Sequence, residues 1–175
     1  MSFTDPESNL KQFDIKEGMH AADFGAGSGF YSMLLAKIVG PSGRVYAIDV
    51  QKDMLERLKK TASKEGILNI EVIWGDVEKI GGSKLREGAV DRAIASNVLF
   101  QIDDKKNFVI ELKRILKPGG KVLVVDWTDS FGGMGPAPEA VITAKTAEEM
   151  FEKEGFKLEK EISAGEHHYG LIFVR

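Results

Sequence analysis

The sequence predicts an α/β fold: a doubly wound, mostly parallel seven-stranded sheet that ends in an antiparallel hairpin. Three observations predict it. Short β-branched or apolar runs alternate with longer amphipathic stretches, the pattern of strands and helices taken in turn. A glycine run, Gly25-Ala26-Gly27-Ser28-Gly29, joins the first strand to the first helix. The last two strand-like segments are separated only by Ser163-Ala164-Gly165-Glu166-His167, a connection too short for a parallel crossover.

Taken in order, strands are predicted at residues 19–24, 44–49, 70–74, 90–95 and 121–126, with helices at 30–39, 52–65 and 105–116 between them. The helix from Lys52 sets Met54, Leu55, Leu58 and Ala62 on one face and its lysines and glutamates opposite. Asp103 or Asp104 is placed to cap the helix from Lys105, and Pro118-Gly119-Gly120 ends the connection that follows it. Residues 127–140 read as a loop rich in Gly and Pro. A helix over 143–154 follows, stopped by Gly155 in the left-handed conformation, and strands over 156–162 and 168–174 complete the sheet.

The chain of 175 residues suits one domain spanning 1–175, with a short N-terminal segment over 1–17. A domain of that size buries roughly 70% of its unfolded surface. An apolar fraction of 43% and a charged fraction of 29% place it among ordinary globular proteins. Its 24 basic residues are scattered among 27 acidic ones, which argues against nucleic acid as a primary partner. There is no cysteine, so no disulfide, thiolate metal site or cysteine nucleophile is available. Met1-Ser2-Phe3-Thr4-Asp5-Pro6 lacks the basic start and apolar run of a secretory signal. Apolar runs such as Val122-Leu123-Val124-Val125 are strand-length and far short of a membrane span. A cytoplasmic protein is the expectation.

The chemistry concentrates at strand ends. Asp23-Phe24-Gly25-Ala26-Gly27-Ser28-Gly29 closes the first strand and opens the first helix. Glycines there allow a sharp turn and close approach of a ligand to the backbone, and the exposed N–H groups suit a phosphate or a carboxylate. A dinucleotide fingerprint requires glycine or alanine where Phe30 stands, so that pattern fails at its third position. The competing reading is a tight structural turn. Asp49, twenty residues beyond Gly29 and followed by Val50, ends the second strand where a nucleoside would lie. A carboxylate there can accept both ribose hydroxyls; alone it would read as a helix N-terminal charge. Asp76, in Gly75-Asp76-Val77 after the third strand, would alone be an unremarkable turn residue.

An acidic residue followed by glycines at alternate positions resembles the first motif of class I S-adenosylmethionine-dependent methyltransferases, in which the methionine part of the cofactor lies over the turn. In that family an acidic residue at the Asp49 position holds the ribose. A residue at the Asp76 position accepts from the adenine amine, while the next backbone N–H, here of Val77, meets the ring. Ser96-Asn97-Val98-Leu99 and Leu116-Lys117-Pro118-Gly119-Gly120-Lys121 are similar to the family's later motifs, so the resemblance covers residues 15–175. It looks nearest to quinone-biosynthesis and related small-molecule enzymes, which use the backbone or hydroxyl at the Ser96 position to meet the methionine end. For Asn97 a plain strand-end turn is an equal alternative. The resemblance implies a Rossmann-like methyltransferase fold and S-adenosylmethionine as cofactor. It implies a binding set of Asp23, Gly25, Ala26, Gly27, Ser28, Gly29, Asp49, Val50, Asp76, Val77, Ser96 and Asn97.

Two departures stand out. Ala21-Ala22 occupy positions where bulkier aliphatics are usual, which should loosen packing. Only about eighteen residues precede the first strand, whereas many relatives carry a longer covering helix. A second copy, a partner chain or a mobile loop is therefore expected to complete the lid.

Missing motifs narrow the reaction. Asn97-Val98-Leu99-Phe100 is not the Asn/Asp-Pro-Pro-aromatic string of base amino-methylation, and without cysteine neither pyrimidine-carbon nor arsenic methylation is served. His167 and His168 are adjacent and should point to opposite faces of a strand, so no metal site is expected. The leading expectation is methyl transfer to a small-molecule acceptor, with no nucleic acid or membrane span. A protein methyltransferase and a non-catalytic cofactor-binding module are the alternatives. Strand directions set Asp126, Trp127, His167, His168 and Tyr169 at the same sheet edge as the cofactor motifs. Asp126, His167 and His168 are the candidate catalytic residues there, a histidine taking a proton from the acceptor and Trp127 lining its pocket or facing the sulfonium. The other reading packs His168 or Tyr169 into the sheet and leaves His167 as a turn residue.

Overall fold

In the computed structural model β1 (His20–Phe24), β2 (Arg44–Asp49), β3 (Ile70–Trp74), β4 (Val90–Ser96) and β5 (Leu116–Trp127) run parallel. β6 (Lys157–Ser163) and β7 (His168–Val174) follow, β7 lying antiparallel between β5 and β6. The sheet order is β3-β2-β1-β4-β5-β7-β6. The structure describes residues 4–175; Met1, Ser2 and Phe3, where the N-terminal segment and the signal-peptide reading begin, lie outside the described residues.

Helices α1 (Pro6–Lys11), α2 (Phe30–Val39), α3 (Lys52–Lys64), α4 (Lys105–Ile115) and α5 (Ala144–Lys153) cover the two faces. Because side chains alternate along a strand, β5 sends Leu123 and Val125 to one face and Val122 and Val124 to the other. The first face packs against Leu10 and Phe13 of the N-terminal segment and Tyr31, Leu35 and Val39 of α2. Leu58 of α3 sits over Ala47 on the same side. The second face packs against Phe108, Leu112 and Ile115 of α4 and Phe151 of α5. Burial on both faces explains the apolar runs Ala93-Ile94-Ala95 of β4 and Val122-Leu123-Val124-Val125 of β5. Ala21 and Ala22, in a strand with neighbours on both sides, are fully buried. Edge strand β6 alternates Lys157, Glu159, Lys160 and Glu161, charges that discourage further strand pairing.

The structure sharpens or shifts the sequence expectations at four places, each for a physical reason. The N-terminal segment forms α1, with Asp5 accepting from the Ser8 N–H (3.0 Å) and Pro6 in the first turn. β5 begins at Leu116, not at residue 121. Leu116 pairs with Val90, the register then jumps to Arg92–Lys121, and residues 117–120 bulge out because Pro118 has no N–H to give the ladder. Asp104, rather than Asp103, caps α4 by accepting from the Asn107 N–H (3.0 Å). Thr143 caps α5 from outside the helix, while Gly155 takes the expected left-handed conformation (φ 83°). Within the 127–140 loop lie a 3₁₀ turn, Pro138–Ala140, and a bridge between Phe131 and Met134.

No helix connects β3 to β4. Residues 75–89 instead form an irregular strap pinned by Glu111, a carboxylate buried on α4. Glu111 accepts from the N–H groups of Gly81 (2.7 Å) and Ser83 (3.2 Å), from the Ser83 hydroxyl, and from Arg114 Nε (2.8 Å) and Nη2 (2.7 Å). Burial pushes this carboxyl up, but those donors outweigh it and hold it below its ordinary range. Among the described residues no helix is long and apolar enough to cross a membrane.

Candidate active site

β1 to β4 all end at one edge, where the carboxyl ends of parallel strands leave a crevice. The glycine turn is sealed onto β2: the Gly25 and Ala26 N–H groups both donate to Ile48 O (2.9 and 3.0 Å). Gly25, Gly27 and Gly29 have φ of 75°, 52° and 82°, so each needs glycine for conformation. Their surroundings differ. A Cβ on Gly25 would meet Val98 at 2.8 Å and one on Gly29 would meet Leu58 at 2.3 Å, whereas one on Gly27 would meet nothing within 4 Å. Gly27 is the bare point of the turn.

That bare point faces a cavity of about 560 Å³. Every residue of the expected cofactor set lines it except Gly29, which opens α2 and packs over Leu58. Thr4, Pro6, Phe30, Tyr31, Gln51, Glu78, Val98, Gln101 and Ile102 complete the lining; none was in the expected binding set, although Phe30 and Val98 stood in the motif strings. Tyr31 carried a signal, a polar-tipped aromatic on the buried face of α2. Glu78 follows two residues after Asp76. Thr4, Pro6 and Gln101 carried none, since tertiary approach alone brings them here.

Two buried carboxylates stand beside the turn. Asp23 accepts from the Ser32 hydroxyl (2.7 Å), and burial, with a smaller push from Asp49, raises its pKa to about 6. Asp49 accepts from the Gly27 N–H through Oδ2 (2.9 Å) and from the Gln51 N–H through Oδ1 (2.8 Å). Each oxygen keeps a lone pair for a ligand hydroxyl. Beside it the Val50 carbonyl accepts from Trp74 Nε1 (3.0 Å), with Lys52 Nζ 3.6 Å over the indole. Asp76 is more open. Its carboxylate pairs with Lys79 (3.0 Å) and accepts from the Glu78 N–H (3.0 Å), and the Lys79 contact chiefly holds its pKa below the usual value. Glu78 Oε2 accepts from the Asp103 and Asp104 N–H groups (2.9 and 2.7 Å), tying the strap to the start of α4. Across the cavity the Tyr31 hydroxyl accepts from Asn9 Nδ2 (2.9 Å) and bonds the Ser96 side chain.

Asp126, His167 and His168 do gather at the expected edge, with Asp126 opposite Tyr169 and Trp127 opposite His168 in the β5–β7 register. None of them lines the cavity, and neither does Trp127. Asp126 is buried, accepts from the Leu99 N–H (2.9 Å) and the Trp127 N–H (2.9 Å), and has its pKa raised to about 6 by burial. His168 is buried at the start of β7, its Nε2 3.0 Å from Asn97 Oδ1 and its ring 4.3 Å from the Trp127 ring. His167 lies in the turn before β7, paired with Asp129 (3.0 Å) and stacked on Phe131 at 4.0 Å. The Tyr169 phenol is buried and pushed well above its usual range. Among the described residues no group of three or more His, Asp or Glu is arranged to hold a metal ion.

A cavity at the glycine turn of such a sheet, with one carboxylate at the turn and another at the second strand end, defines a nucleoside-binding α/β enzyme. A sequence profile of the methyltransferase domain matches residues 15–168. The chain belongs to the class I S-adenosylmethionine-dependent methyltransferases, and S-adenosylmethionine is its cofactor. A demethylmenaquinone methyltransferase of Staphylococcus aureus is 32% identical over 118 residues, 67% of this chain and 46% of that protein. One from Geobacillus sp. is 28% identical over 120 residues, 69% of this chain and 50% of that protein. The chain thus spans about half the length of these relatives. Among solved structures, a SAM-dependent methyltransferase from Aquifex aeolicus superposes with a TM-score of 0.89 at 33% identity, covering 98% of this chain and 90% of that one.

Proposed function

We propose that the cavity holds S-adenosylmethionine against the Gly27 backbone and passes its methyl group to a small-molecule acceptor. The observation that carries this is the bare Gly27 flanked by buried Asp23 and Asp49 in a cavity of about 560 Å³, within the usual range for small-molecule sites. Bound there, the cofactor would supply an electrophilic methyl on its sulfonium, with the neutral thioether of S-adenosylhomocysteine as the leaving group. Asp23 provides the negative charge for the cationic amino acid end, Asp49 receives the ribose hydroxyls, and Asp76 with the Val77 N–H meets the adenine. Alignment of acceptor and methyl group is the main contribution asked of the protein, and good alignment lowers a barrier by ~7–11 kcal/mol. The demethylmenaquinone relatives support a small-molecule acceptor. Labelled methyl transfer into metabolite pools, with none into protein, is the expected result. Label in protein alone, or in neither pool, would overturn it.

Calorimetry should show micromolar binding of S-adenosylmethionine and its demethylated product, and no detectable binding of NAD. The reverse result would remove the cofactor assignment of this cavity. Asp49→Ala should cost more affinity than Asp76→Ala. Asp49 is buried and offers two charge-assisted contacts worth ~1.5–3 kcal/mol each, while Asp76 is half-exposed and already paired with Lys79. Negligible losses in both variants would show the cradle to be misplaced.

Affinity should also depend on pH through Asp23. Its raised pKa of about 6 means that below that pH a proton must leave before the carboxylate can face a cation. Affinity is therefore full above the shifted pKa and falls as pH drops through it, at up to about tenfold per pH unit. Asp23→Asn should flatten that slope. A wild-type affinity that stays level from pH 7 to about pH 5 would exclude the contact.

A further inference from the structure

We propose that His168 is a positioning residue: by donating to the Asn97 side chain it holds Asn97 in the left-handed conformation that shapes the cavity wall at the end of β4. The proposal rests on the reading that this cavity holds the cofactor. Among the described residues, three that are not glycine have positive φ, namely Asp14, Lys84 and Asn97, and of these Asn97 lines the cavity. Its φ of 55° is costly for a residue with a Cβ, though asparagine tolerates it better than most. Such a conformation persists when surrounding contacts over-determine it.

The main-chain contacts come from two sides. The Asn97 N–H donates to Val125 O of β5 (2.8 Å), and Gln101 Nε2 donates to Asn97 O (2.9 Å). Just beyond, the Leu99 N–H donates to Asp126 (2.9 Å). The side chain is held separately, by His168 Nε2 at 3.0 Å. An amide oxygen only accepts, so this contact requires the proton on Nε2. His168 is itself fixed, by its strand pairing opposite Trp127 and by its ring lying 4.3 Å from the indole. The indole is backed in turn by Gly135, where a Cβ would come within 2.7 Å of the ring. The histidine thus transmits the geometry of the antiparallel end of the sheet to the cavity wall, across 71 residues of sequence, without touching the cavity.

The test uses His168→Phe, which keeps a ring on Trp127 but has no donor, and His168→Gln, whose amide NH₂ restores one. Both are made alone and with Asn97→Gly, since glycine adopts positive φ unaided. Binding of the demethylated product, S-adenosylhomocysteine, is measured by calorimetry, and the Asn97 Cα chemical shift, which reports the left-handed conformation, is read in the free protein. His168→Phe should weaken binding about tenfold, the scale of one hydrogen bond, and move the shift, while His168→Gln does neither. With Asn97→Gly in place, His168→Phe should cost nothing more. An unmoved shift and unchanged affinity in His168→Phe would overturn the proposal, as would an equal loss in the Asn97→Gly background. If His168→Phe does not fold, His168→Met takes its place. Wild-type protein that binds no sulfur nucleoside would reject the cofactor reading, and the chemical shift would still decide whether His168 governs Asn97.

Discussion

Gly27→Val should give a folded protein that binds neither S-adenosylmethionine nor its demethylated product. Two effects act together. At φ 52° a β-branched residue is strained, and its side chain would fill the open space that Gly27 leaves beside Asp23 and Asp49. Strain of this kind costs ~1–3 kcal/mol, which a well-packed sheet tolerates, whereas the steric block should lower affinity by more than about a hundredfold. Gly29→Ala makes the informative contrast. Its Cβ would sit 2.3 Å from Leu58, so that variant should lose stability first and affinity only as a consequence. Circular dichroism and calorimetry separate the two. A folded Gly27→Val that binds normally would make the turn purely structural.

Glu111→Ala should be the most destabilising of the substitutions considered. It strips a buried carboxylate from Gly81, Ser83 and Arg114 at once; Arg114 Nη2 keeps the Leu85 carbonyl (2.7 Å), while the Gly81 and Ser83 N–H groups and Arg114 Nε lose their carboxylate acceptor. Breaking a buried pair in this way costs about 3–5 kcal/mol. The loss should begin in the strap over residues 75–89, which carries Asp76, Val77 and Glu78, so amide exchange there should rise and cofactor affinity fall with it. Because its pKa is depressed, Glu111 contributes stability above its unfolded pKa, and that contribution is lost as pH falls through the folded value. A Glu111→Ala protein within about 1 kcal/mol of wild type would mean that the strap is held by something else.

The alternation of strands and helices, the position of the glycine turn and the closing hairpin were legible because their signals are local: each needs only a few consecutive residues. The order of the strands in the sheet and the β5–β7 register that sets His168 opposite Trp127 were not, because distant segments must meet to fix them. What escaped depends on approach between distant segments. Tyr31 meets Asn9 across 22 residues and Glu111 meets Ser83 across 28, and neither pairing has a sequence period to reveal it. The helix at Pro6 did have a signal, Asp5-Pro6, but it is short and owes its place to Leu10 burial and a contact from Gln12 to Ser163 O (3.1 Å). Asp126 and the histidines show the limit of placing residues by edge alone. The sheet brings them to the correct end, but side-chain direction sends Asp126 into backbone N–H groups and His168 onto Asn97.

Every residue lining the cavity precedes Asp103 in the chain, although the sheet continues through β5, β7 and β6. The later stretch therefore supports the cavity from behind without lining it. β5 pairs along the whole of β4, Phe108 packs on Phe24, and Asp126, His168 and Glu111 fix the β4 turn and the strap. A substitution after Asp103 can reach the cavity only through such packing and pairing, so its effect on a ligand is always second-hand.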